Sequence, residues 1–162
     1  MTATFTRSPI PTTPVSLAAG VEMPTATFGP LTRTDFVRYA GASGDFHPLH
    51  HDEPYAQSLG MPSVFGMGLL HAGILGDHLA RWVGPENLRS FAVRFTGQVW
   101  PGDVLTFTGR VDRIERTGDT AVAHLVLAVT RQTSDPAITA TATATTAPDP
   151  PLFLPNSSKD RR

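Results

Sequence analysis

The chain has 162 residues, 40% of them hydrophobic, enough for one domain with a sizeable buried core. Thirteen basic and fourteen acidic side chains leave a formal charge of −1, which excludes a general electrostatic pull toward nucleic acid or an anionic membrane. The absence of cysteine excludes disulfides, thiolate catalysis and cysteine-based zinc sites, and suits a cytoplasmic protein.

Residues 1–20 are rich in Thr, Pro and Ser without periodicity and read as a flexible N-terminal arm lacking the apolar core of a secretion signal. Residues 21–147 form the folded domain. "MPTATFGPL" alternates weakly and predicts a first strand. In "TRTDFVRYAGAS", Thr32 and Asp35 have the spacing of a capping box, and Phe36, Tyr39 and Ala40 share one helical face. Pro48 then blocks helix continuation. "DEPYAQSLG" predicts a short helix capped by Asp52, with Pro54 in its first turn and Gly60 at its end. "VFGMGLLHAGILGDHLARWVG" is the longest apolar run, but His71, Asp77, His78 and Arg81 interrupt it. It is therefore read as a buried helix over 66–82 and not as a membrane span.

After Pro85 the pattern turns to period two. Phe91, Val93 and Phe95 alternate with Ala92, Arg94 and Thr96, and "PGD" at 101–103 is a turn. "VLTFTGRVDRIE", "TAVAHLVLAVTRQ" and "ITATATATTA" continue the strands, joined by "RTGD" and "TSDP". Such short connections imply antiparallel pairing. The sum is an α+β domain in which an antiparallel sheet wraps one long helix. Residues 148–162 form a Pro-rich C-terminal tail.

The chemistry concentrates in "SGDFHPLHHD", residues 43–52, which holds three of the six histidines. On residues alone, the segment fits a zinc site from His47, His50, His51 and Asp52, an acid–base pair, or a solvated loop. Pro48 opposes the regular helical turn on which those histidines would converge. On the long helix, His71 and His78 share a face and are read as partly buried groups bonded to backbone or to a partner subunit. Asp77 and Arg81 read as a helix-end ion pair. Arg89, Arg94 and Arg110 are read as solvent-face residues, with contact to coenzyme A or carrier phosphates as the alternative.

"YAGASGDFHPLHHDEPYAQSLG" followed by "FGM" and "VRFTGQVWPGD" resembles the MaoC-like, or (R)-specific enoyl-CoA hydratase, family of hotdog-fold proteins, over residues about 25 to 145. The resemblance implies a hotdog fold and interconversion of trans-2-enoyl and (R)-3-hydroxyacyl thioesters of coenzyme A or an acyl carrier protein. It places the catalytic pair on Asp45 and His50 and the donor to the thioester carbonyl on the Gly66 N–H. It places substrate contacts on Ser43, Phe65 and Met67. It implies no metal or organic cofactor, no membrane or nucleic-acid partner, and a homodimer or a heterodimer with a related chain. Two positions depart from the family pattern: His47 stands for its Asn, and Phe65 for the His of its H-G-M. These departures motivate a rival reading as a catalytically weak partner subunit. A tailoring dehydratase or thioesterase on the same fold is another.

Overall fold

The computed structural model describes residues 10–118 and 120–147. Their sheet has five antiparallel strands in the order β1-β3-β4-β5-β2, with β1 Ala26–Phe28, β2 Leu88–Phe95, β3 Leu105–Thr117, β4 Thr120–Arg131 and β5 Pro136–Thr146. Each of the last three strands pairs with its sequence neighbour, as the short connections demand.

The alternation in β5 explains how the sheet receives a helix. Ala140, Ala142 and Ala144 point inward and are buried, while the intervening threonines face outward. A row of methyl groups lets a helix approach closely. That helix is α3, Gly68–Val83, which buries His71, Ala72, Leu75, Leu79 and Val83 along one stripe. Its glycines serve the same approach. A Cβ at Gly68 would stand 2.7 Å from the Phe95 ring, and one at Gly76 would stand 3.3 Å from Phe91. The arrangement is the expected one, a sheet curved around one long helix.

Two shorter helices carry the motif over the end of this core. In α1, Arg33–Ser43, Thr32 and Asp35 complete the capping box, and Phe36 and Ala40 are buried. Gly44 ends the helix with φ 75°, a left-handed conformation that favours glycine. In α2, Glu53–Ser58, Asp52 caps through its carboxylate to the Tyr55 N–H. Glu53 then joins both helices to the chain before Phe65. It pairs with Arg33 at 2.6 Å and accepts from Ser63 Oγ and the Val64 N–H.

Within the stretch expected to be a loose arm, Leu17 is buried and its N–H donates to Thr146 Oγ1 at 2.9 Å. The Ala147 N–H donates to the Val15 carbonyl. These bonds fasten residues 15–17 beside the end of β5. The Pro-rich tail from 148 onward lies outside the described residues. No helix among those described is long and apolar enough to cross a membrane.

Candidate active site

The loop after α1 presents Asp45 by a chain of local bonds. Ser43 Oγ donates to the Tyr39 carbonyl at 2.8 Å and accepts from the Asp45 N–H at 3.2 Å. The hydroxyl is thus spent on the turn. Ser43 does not line the cavity described below, which corrects the expectation of a substrate contact. Pro48 then opens a single 3-10 turn, Pro48–His50, capped by His47, whose Nδ1 accepts from the Leu49 N–H at 3.3 Å. An Asn side-chain oxygen performs this same capping task elsewhere, so the ring at 47 substitutes for it chemically.

His50 is held from the other side. Its Nδ1 lies 2.7 Å from the Phe65 carbonyl oxygen, and its ring meets the Phe65 ring edge-on at 5.2 Å. A carbonyl only accepts, so Nδ1 carries the proton and the neutral ring keeps its lone pair on Nε2. That Nε2 faces Asp45 Oδ2 across 3.6 Å. The gap exceeds a direct hydrogen bond and suits two groups that hold one small molecule between them. Phe65 in turn packs edge-on against Trp100 at 5.8 Å. Trp100 is fixed through its N–H by Asp103, which also receives Arg131 Nε at 2.7 Å and Gln132 Nε2 at 2.8 Å. Burial pushes the Asp103 carboxyl up, but these bonds from Arg131, Trp100 and Gln132 outweigh it and hold the group below its ordinary value.

Asp45 and His50 open onto a cavity of about 420 Å³ whose wall includes Phe65, Gly66, Met67, Gly68, Leu69 and His71. Its other side is formed by the chain leaving β2, Phe95 to Gln98, and by the start of β5 at Ala137 and Ile138. The expected site residues Asp45, His50, Phe65, Gly66 and Met67 therefore come together. Gly66 needs a correction in role. Its N–H donates to the Val99 carbonyl at 2.8 Å, so it is committed to the fold and not offered to a ligand. The extended backbone of Met67, φ −63° and ψ 131°, makes α3 begin at Gly68 and not at 66. Glycine is required at 66 for space, since a Cβ there would lie 2.8 Å from both His71 Nε2 and Phe36 Cε1. The donors left over are two residues on. Met67 caps α3 without a side-chain bond, and the N–H groups of Gly68 and Leu69 open the helix beside the cavity.

The histidines of the motif do not converge. His51 Nε2 bonds the Phe46 carbonyl at 3.1 Å, His47 caps its own turn, and Asp52 caps α2. Among the described residues no three His, Asp or Glu side chains gather as metal ligands. On α3, His78 bonds the Pro24 carbonyl, and Arg81 grips Asp77 at 2.9 Å and 3.1 Å. His71 differs from its sequence reading. It is 2% exposed, and neither ring nitrogen has a partner among the described residues. Each unpaired buried nitrogen costs about 1–3 kcal/mol. Burial pushes its pKa down to about 4, with the Asp103 charge opposing in part, so the ring is neutral near pH 7. The sequence signal for His71 was its place on the apolar stripe with Leu75 and Leu79; the pattern marked burial but not the missing partners.

Comparison with known proteins bears on the family and the fold. The chain matches the MaoC like domain family over residues 7–132. It is 39% identical over 108 residues to 3-hydroxyacyl-thioester dehydratase Y of Mycobacterium tuberculosis, an alignment covering 59% of this chain and 37% of that protein. The chain thus spans little more than a third of that relative's length. Among solved structures it resembles the (R)-hydratase of A. caviae involved in PHA biosynthesis, with TM-score 0.68 and 22% identity over 82% of this chain and 98% of the other. It resembles a chain of the ChsH1-ChsH2 complex from Mycobacterium tuberculosis equally well, with TM-score 0.68 and 23% identity over 80% of this chain and 98% of that one. These structural likenesses concern the fold. With the motif loop, the wrapped helix and a family match over most of its length, the chain belongs to the MaoC-like domain family and has its α+β hotdog fold.

Proposed function

We propose that this domain is a hydro-lyase that adds water to 2-enoyl thioesters, or removes it from (R)-3-hydroxyacyl thioesters. The observation that carries the reading is His50 Nε2, its lone pair fixed by the Nδ1–H bond to Phe65, facing Asp45 across 3.6 Å at the cavity wall. A water held by both groups loses a proton to Nε2 as its oxygen attacks C3. Charge moves through C2 onto the thioester oxygen, toward the N–H groups of Gly68 and Leu69 at the positive end of α3. The imidazolium, steadied by the Asp45 carboxylate, returns its proton to C2. One O–H bond and the C2–C3 π bond break, and one C–O and one C–H bond form. Dehydration runs the same steps backward.

The acyl group rides on coenzyme A or an acyl carrier protein, in the cytoplasm. The chain works as a homodimer or beside a related chain. β2 supports this: among the described residues it is an outer strand of the sheet with an unpaired edge, and its end lines the cavity, so pairing there would cover both. His47 still caps its turn and the Phe65 carbonyl still anchors His50, which supports an active site over the weak-subunit reading.

The test is product analysis with a panel of enoyl-CoA thioesters, on the wild type, Asp45→Asn, His50→Ala and the double variant. Each single change lowers turnover about a hundredfold or more, and the double falls little further, since the pair acts as one unit. Near-normal rates in either single variant refute the pair. Release of free acid in place of the 3-hydroxyacyl thioester would make the domain a thioesterase.

A further inference from the structure

One polar side chain on the cavity wall has no task in this scheme. His71 lies in the first turn of α3, and its ring borders the cavity with Asp45, His50 and Gly68. Side chains on a helix lean toward its N-terminus. The ring accordingly sits against Gly66, with Nε2 2.8 Å from where a Cβ on that residue would stand. It therefore adjoins the turn whose Gly68 and Leu69 N–H groups have no acceptor among the described residues.

We propose that His71 is a further catalytic residue, whose neutral imidazole donates a hydrogen bond to the carbonyl oxygen of the bound thioester beside the N–H groups that open α3. This rests on the hydratase reading above. A buried polar group without a partner in the protein calls for one from whatever enters the cavity it borders. Burial keeps the ring uncharged, so it carries one N–H donor and exerts no pull on free carboxylates. That suits an oxygen neutral in the substrate and negative only in the transition state. A half-turn about Cβ–Cγ exchanges each nitrogen with a ring carbon within the same volume, so the edge bordering the cavity can present the donor. The proton stays on the imidazole throughout; the hydrogen bond tightens as charge develops and relaxes as C2 is protonated.

The test compares wild type, His71→Phe and His71→Gln in the full chain, with crotonyl-CoA and longer or oxygen-bearing enoyl-CoA substrates. His71→Phe lowers kcat about a hundredfold to a thousandfold on every substrate with KM little changed, the range for losing one oxyanion donor. Its melting temperature is unchanged or higher, because an apolar ring replaces unpaired nitrogens. His71→Gln, which retains an N–H, recovers part of the rate. Raman spectra of bound hexadienoyl-CoA show a lower carbonyl stretch with wild type than with His71→Phe. Should the Phe variant not fold, His71→Met gives the same readings. An unchanged kcat in a folded variant, or an unchanged carbonyl frequency, overturns the proposal. Loss confined to acyl groups bearing oxygen also overturns it, and moves His71 to acyl recognition. If wild type hydrates no thioester of the panel, the hydratase reading is what fails, and the carbonyl frequency alone decides the role of His71.

Discussion

Acid weakens this fold through His71. The perturbation is a drop from pH 7.5 to pH 5. In the unfolded chain the ring titrates at its ordinary 6.5, and burial in the fold pushes it down to about 4. Between those values the unfolded chain binds more protons, so stability is complete above about pH 6.5 and declines as pH falls toward 4. At about 1.4 kcal/mol per pH unit, the loss reaches about 2 kcal/mol at pH 5 and levels at about 3 kcal/mol below pH 4. For a chain of 162 residues, 2 kcal/mol lowers Tm by roughly 4–8 °C. Asp103 is held below its ordinary 3.8, so its contribution is present above that value and lost only as pH falls further. Urea unfolding followed by tryptophan fluorescence at pH 7.5, 6 and 5 measures the effect, with His71→Phe as the reference. The wild type loses stability relative to the variant as pH falls. Parallel curves for the two proteins would refute the reasoning, because the ring would then titrate alike in both states.

Two further outcomes follow from close contacts. Asp103→Ala takes from the half-buried Arg131 its nearest partner, leaving it Asp135 at 3.6 Å, and frees the Trp100 backbone N–H, and should cost about 1–3 kcal/mol in chemical unfolding. Gly66→Ala drives a methyl group against His71 and the fully buried Phe36, and should cost about 1–3 kcal/mol by the same measurement.

Much of this was legible in the sequence because local chemistry decided it. The Thr32 and Asp35 capping box, the Asp52 cap and the alternation of β5 each depend on residues within a few positions of one another. The motif loop also joined Asp45 to His50 as expected. What escaped depends on partners far along the chain. The Gly66 N–H is taken by the carbonyl of Val99, thirty-three residues on, in the connection between β2 and β3. Ser43 was placed in the site by its neighbours, yet its hydroxyl closes a bond four residues back. His71 read as one more polar residue on an apolar stripe. Only the packing of Gly66 and Phe36 around it shows that no protein group answers its nitrogens.

The bond from His50 to Phe65 has a consequence for how such a domain can diversify. The acceptor is a peptide carbonyl, which every amino acid supplies. The ring of residue 65, by contrast, is part of the cavity wall. Under the proposed function, one position thus serves two masters through separate atoms: its main chain fixes the tautomer of the proposed base, and its side chain shapes the proposed space for the acyl group. Descendants of this gene can exchange the side chain, and with it the range of substrates, while inheriting a base that stays poised. Drift at 65 is channelled toward new specificity and away from loss of activity.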